Sequence, residues 1–308
     1  MRHKDLTWNK ILYQCSDRLL KFIVNAIPGW LPSPDNLRRW KSEGEHKCGL
    51  CGRFNATLAH ILCGCPWVRE MENKSGKEDR FTWRHNCILA ILAKSIRAKL
   101  QQINGSPVLD QKKTLVRFVP AGTTNCVRKK PQDVPSLLSQ ARDWEADFDL
   151  PELRSNGSIF AFPYDVCATT LRADAYIISR ASKFCFVGPE LTAPMEENIH
   201  EWHKKKRAKY DSIQLSAEAN SWRIQTLILE VGSRGFIPPS FRASLRQLGF
   251  LNQEIKILAD ACSLMAQRCS YIIWINRNNK LFVPRRLDST ILIPNFSSSS
   301  TSTYPPSS

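Results

Sequence analysis

Cys48, Cys51, His60 and Cys65 stand in the order C-x2-C-x8-H-x4-C, a spacing at which three thiolates and an imidazole can close a tetrahedral shell around Zn²⁺. Two thiolates two residues apart grip one ion from a tight turn, and Gly49 and Gly52 fall where that turn must be sharp. Thr57 to Leu62 reads as a short amphipathic helix presenting His60. Cys63 is a rival fourth ligand. Cys65 is preferred, because four intervening residues return the chain to the ion more easily than two. A shell filled by four protein ligands has no open position, so this zinc would be structural rather than catalytic.

A second set of candidates lies between residues 158 and 231. Leu171 to Ile178, Lys183 to Thr192 and Arg223 to Val231 read as strands, with Ser158 to Phe162 a further candidate. Asn198 to Ser216 reads as a basic helix, so the ordering is α/β. Asp174 and Glu190 fall on successive strands expected to pair. Adjacent carboxylates repel unless a cation shares them, and their hard oxygens suit Mg²⁺. The plainer alternative is two solvated acids at strand edges. On the helix, Ile199, His203, Lys206 and Tyr210 recur at the spacing of one face, so Lys206 should point at the sheet that carries the acids. Lys204, Lys205, Arg207 and Lys209 remain as contacts for a phosphate backbone. The same run, KKKRAK, also reads as a solvated basic face or a nuclear import signal.

Composition agrees with a polyanionic partner. Forty-four Lys and Arg against 28 Asp and Glu leave a formal charge of +16, and nucleic acid is the first candidate for it. No apolar run of about 18 residues offers a membrane span, and Met1 to Asp5 is not followed by an apolar signal segment. Eleven cysteines in such a chain suit a reducing compartment, nucleus or cytosol. Helical spacing covers residues 6 to 27, a short helix is expected over Leu37 to Trp40, and a charged loop over Glu70 to Arg80. A long helix follows from about Thr82 to Ile103, with Ile88, Leu89, Ile91, Leu92, Ile96 and Leu100 as its apolar stripe. Residues 104–135 read as a flexible basic insertion, and 286–308 as a disordered Ser/Thr/Pro tail.

In order along the chain stand the Cys/His set, Trp83-Arg84-His85-Asn86, Arg172-Ala173-Asp174 and Glu190-Leu191-Thr192-Ala193-Pro194-Met195-Glu196-Glu197-Asn198. Lys206-Arg207-Ala208-Lys209-Tyr210 and Leu229-Glu230-Val231-Gly232-Ser233-Arg234-Gly235-Phe236 follow. Over roughly residues 15–285 this series resembles the C-terminal region of non-LTR retrotransposon proteins that carry a restriction-like endonuclease. The resemblance implies a PD-(D/E)xK fold, a mixed sheet flanked by helices. It would be preceded by a helical lead-in over 1–45 like the end of a polymerase thumb and a CCHC zinc knuckle over 46–70, and would itself occupy 81–285. It further implies that Asp174 and Glu190 hold Mg²⁺, and that Lys206 orients and activates the attacking water. Arg84 would contact the scissile phosphate or support the site, and Tyr210 would flank it. Thr192 stands where such nucleases commonly carry lysine, which the helix supplies instead. DNA, and the RNA of such an element, are the implied partners.

Three features depart from that pattern. Ala173 replaces a proline before the first acid, no Tyr-x-Asp-Asp polymerase sequence occurs, and Gly188-Pro189 precedes Glu190. Proline cannot donate to a ladder; Glu190 is expected to meet Asp174 and Lys206 at one end of the sheet, and a bulge at this dipeptide that turned it outward would leave Glu196 or Glu197 as substitutes. Two functions are therefore open: a metal-dependent DNA endonuclease, or a catalytically inactive nucleic-acid-binding module or decayed fragment of such an element.

Overall fold

The computed structural model describes residues 15–75, 78–106, 136–150, 153, 160–285 and 287. Residues 6–14 of the expected first helix, most of the expected basic insertion and nearly all of the Ser/Thr/Pro tail lie outside them. The chain is mixed α/β, with one four-stranded sheet in the order β1 (Glu145–Phe148), β2 (Ala175–Ser179), β3 (Phe184–Thr192), β4 (Arg223–Glu230). β1–β2 and β2–β3 pair antiparallel, β3–β4 parallel. The parallel step is bridged by the basic helix, α5 (Ile199–Ala219), as a crossover between parallel strands requires.

Alternation along the strands sorts the two faces. Ala175, Ile177, Phe184, Phe186, Leu227 and Leu229 join the main core. Cys185, Val187 and Ile178 face the other way, toward Tyr210, Ile213 and Ala217 of α5. The main core is completed by two long helices. In α4 (Arg80–Asn104) the expected stripe is buried, and Asp79 caps the first turn by accepting the Phe81 and Thr82 amides at 2.6 and 3.0 Å. α7 (Asn252–Ile275) packs on α4 with Leu258, Cys262, Met265 and Ile273 all buried. Burial of each large aliphatic side chain stabilises by about 1.5–3 kcal/mol, so this helix pair anchors one face of the sheet.

Several elements differ from the sequence expectation. The short helix α2 is Pro34–Arg39, because Ser33 caps it and Pro34 fits its first turn. It follows α1 (Asp17–Ala26), which is capped by Ser16. The expected charged loop after Cys65 begins as a helix, α3 (Pro66–Ser75). The strand expected from Leu171 starts at Ala175, and Phe160 to Phe162 are not a strand. β1, α6 (Pro239–Gln247) and α7 had no counterpart in the sequence reading.

Gly188-Pro189 decides which way Glu190 faces. β3 has a register shift against β4, pairing Val187 with Thr226 but Glu190 with Ile228, so three residues on β3 advance against two on β4. One extra residue is a β-bulge, and a bulge inverts the alternation that follows it. Regular alternation would send Glu190 into the core with Phe184 and Phe186. Instead Leu191 joins the core and Glu190 faces α5. The feared interruption is what places the acid. Gly188 adopts φ +119° there, a conformation that favours glycine.

Candidate functional site

Around the Cys/His set, a bridge between Lys47 and Phe54 closes a small hairpin, and Gly52 takes φ +73° at its turn. The chain then winds through one π-helical turn, His60–Gly64, which returns Cys65 to the hairpin. Sγ of Cys48, Cys51 and Cys65 and one ring nitrogen of His60 lie within 4.8 Å of one another. Cys48 and Cys65 sulfurs are 4.0 Å apart, and Cys51 Sγ is 3.3 Å from His60 Nε2. Ligands at about 2.0–2.3 Å from a tetrahedral ion stand at such separations from each other. The cluster can hold a metal ion such as zinc. The Cys48 thiol is drawn down to about 4, chiefly by its hydrogen bond with Cys65, which is pushed up in return. A thiol poised to ionise suits a ligand that must bind as thiolate. Cys63 turns away, its sulfur 3.4 Å from Arg84 Nη2, and is not a member of the cluster.

At the end of the sheet where β2 begins and β3 stops, Asp174, Glu190, Lys206 and Tyr210 converge. Lys206 Nζ donates to Glu190 Oε2 at 2.6 Å and to Asp174 Oδ2 at 3.3 Å. Tyr210 donates to Glu190 Oε1 at 2.6 Å, and the Asp174 amide donates to the same oxygen at 2.7 Å. Glu190 is fully buried, whereas the Asp174 side chain keeps 21% of its surface exposed. Burial alone would raise the Asp174 carboxyl, but His85 and Lys206 hold it well below the usual carboxylate range. Burial alone would lower Lys206, and the two carboxylates outweigh it and raise the ammonium. Burial and the neighbouring Glu190 push the Tyr210 phenol up, so it stays a donor.

His85 is the member that sequence reasoning missed. Its Nε2 lies 3.2 Å from Asp174 Oδ2 and its Nδ1 2.9 Å from Asn86 Oδ1. The signal was present, since His85 sits one residue from Arg84 in the second turn of α4. Arg84 itself is buried and spans the structure. It donates to the carbonyls of Leu62 at 3.0 Å and Ala193 at 2.8 Å and to Ser270 Oγ at 3.1 Å. Those contacts fit a supporting role better than a phosphate contact. Glu196 and Glu197 are not substitutes, because both are paired with Arg234. Thr192 is buried, and its hydroxyl has no partner among the described residues.

A cleft of about 1090 Å³ joins the two sites, lined by Arg53 and Arg69 near the cluster and by Arg172, Asp174, Lys205 and Lys206 at the acids. Lys204, Lys205 and Arg207 are exposed, and Lys205 lies 5.2 Å from the Trp202 ring beside the cleft. Lys209 is partly buried instead, donating to Tyr210 Oη at 2.6 Å and to the Arg172 carbonyl at 2.8 Å. No helix among the described residues is long and apolar enough to cross a membrane. The fold and site thus define a mixed α/β protein with a Cys/His cluster that can hold a metal ion and a cleft lined by Asp174 and Lys206, with Glu190 buried behind them. No family model matches the chain, and no curated protein matches it.

Proposed function

We propose that the chain is a divalent-cation-dependent DNA endonuclease of the restriction-like PD-(D/E)xK class, related to the nucleases of non-LTR retrotransposons. The observation that carries this reading is the meeting of Asp174, Glu190 and Lys206 at one sheet end, where Asp174 and Lys206 line a cleft rimmed by Arg53, Arg69, Arg172 and Lys205. The antiparallel and parallel pairing on either side of β3, with a helix crossing between β3 and β4, is compatible with that class. The acids fit a hard cation. Among the described residues, Asp174 Oδ1 has no donor and Glu190 Oε2 meets only Lys206. Asp174 and Glu190 would hold Mg²⁺, which supplies charge stabilisation at the phosphate and an acidified water.

The other residues then have definite tasks. His85 and the Leu191 amide, at 3.2 and 2.9 Å, fix the Asp174 carboxylate. Tyr210 fixes Glu190, and Lys206 offers its ammonium to water or phosphate oxygen. The basic rim and the exposed lysines of α5 would position the backbone without reading sequence. The alternative is a module that binds nucleic acid without cutting it, and the ammonium already lying across both acids favours it. Incubating supercoiled plasmid with the protein separates the two. Nicking with Mg²⁺, absent with EDTA and in Asp174→Ala, is the expected result. DNA binding in all three conditions with no nick would leave the binding module.

A further inference from the structure

Lys206 occupies an unusual place in this site. Its Nζ bonds both acids, at 3.3 Å to Asp174 and 2.6 Å to Glu190, where a shared cation would otherwise lie. The carboxylate oxygens are not equally committed. Asp174 Oδ2 takes three donors, from His85, Lys206 and the Leu191 amide, at 3.2, 3.3 and 2.9 Å. Glu190 Oε1 takes two, from Tyr210 and the Asp174 amide. Among the described residues, Glu190 Oε2 is held by Lys206 alone. A cation shared by the acids could use Asp174 Oδ1 directly, but it must take Glu190 Oε2 from the ammonium.

Charge sharpens the conflict. Two carboxylates and one ammonium leave a single net negative charge, and a divalent ion added beside a retained ammonium would leave the pocket positive with both cations in contact. Burial makes that repulsion strong. The lysine also lines the cleft, so it can leave the acids for a ligand lying there. A phosphodiester is such a ligand, an anion that bonds an ammonium well.

We propose that Lys206 is an exchangeable occupant of the cation position, so that the site loads a divalent cation when a nucleic-acid phosphate draws the ammonium away. This rests on the reading that Asp174 and Glu190 hold such a cation, and it adds that cation and nucleic acid bind cooperatively. By linkage, the cation must tighten nucleic-acid binding by the same factor that nucleic acid tightens cation binding.

Calorimetric titration of Mn²⁺ into the zinc-loaded full chain tests it, with and without a saturating phosphorothioate duplex that resists cleavage. Asp174→Asn is run in parallel to subtract Mn²⁺ held by the duplex. Wild-type protein should bind Mn²⁺ about tenfold or more tightly in the complex than alone. Lys206→Met should bind Mn²⁺ tightly without DNA and lose most of that difference. Equal Mn²⁺ affinity with and without duplex in the wild type would overturn the exchange while leaving the cation site standing. A well-folded Lys206→Met that binds no better than wild type does the same. Binding no greater than in Asp174→Asn, in every arm, would remove the cation site and the exchange together. The wild-type arms decide the matter even where the variant does not fold.

Discussion

Gly188→Ala is the perturbation that most directly probes how β3 delivers Glu190. At φ +119° an alanine is strained, which costs roughly 1–3 kcal/mol. Its Cβ would also overlap the Leu227 carbonyl oxygen on β4 and lie 2.6 Å from the Glu190 amide nitrogen. Both obstacles are backbone, so no side chain can swing aside. Relief requires parting β3 from β4 at the bulge, with the loss of one or two ladder hydrogen bonds at about 1 kcal/mol each. The combined loss is about 2–5 kcal/mol, a large share of the ~5–15 kcal/mol typical of a folded domain. Urea unfolding followed by circular dichroism measures it, with Gly64→Ala as control. At Gly64 an added Cβ meets only an ordinary contact, 3.6 Å from the Ala59 carbonyl oxygen. The control should change stability by under ~1 kcal/mol. A Gly188→Ala protein as stable as the control would refute the bulge argument, because β3 could then carry Glu190 by some other path.

Cys48→Ser and His60→Ala should each lower bound zinc well below one ion per chain, checked by elemental analysis. Hydrogen exchange should then show the hairpin around 47–54 opening first, since Leu58, Ile61 and Leu62 are held by the main core. Affinity for DNA should fall steeply with salt, and reversing Lys204, Lys205 and Arg207 should weaken binding to all sequences alike, as titrations on unrelated duplexes would reveal. A salt-independent affinity would contradict this. Arg84→Leu should cost about 3 kcal/mol, because it strips the buried carbonyl of Leu62 and the partly buried carbonyl of Ala193 of the guanidinium donor; thermal melting that leaves the midpoint unchanged would show those carbonyls to be satisfied otherwise.

The parts of this molecule that were legible in the sequence are those whose geometry is local. Tetrahedral coordination ties ligand type to spacing, so Cys48, Cys51, His60 and Cys65 could be named before any fold was known. One helix face suffices to aim Lys206 and Tyr210, and both arrive at Glu190. What escaped depends on distant parts of the chain. His85 gains its role because α4 begins beside the start of β2, which no local pattern reveals. β1 has four residues, one glutamate and one aspartate among them, too few for a periodic signal. α7 is buried around most of its circumference and so shows no clean stripe. Gly188-Pro189 left the direction of Glu190 open, because a proline reads as a broken ladder, and here the break serves as a phase shift.

One turn of α4 has a consequence for scale. Arg84 fastens the metal-binding loop through Leu62, and His85, the next residue, fastens Asp174. The Cys/His loop and Asp174 are therefore tied to neighbouring residues of a single helical turn. If the chain acts on nucleic acid as proposed, it would work as a caliper. A strand lying along the cleft would meet both jaws at once, and the number of nucleotides between its two points of contact would be a property of the protein rather than of the strand's sequence. Lengthening that turn by one residue would rotate His85 away from Asp174 while leaving the hairpin intact, and the gauge would lose one jaw.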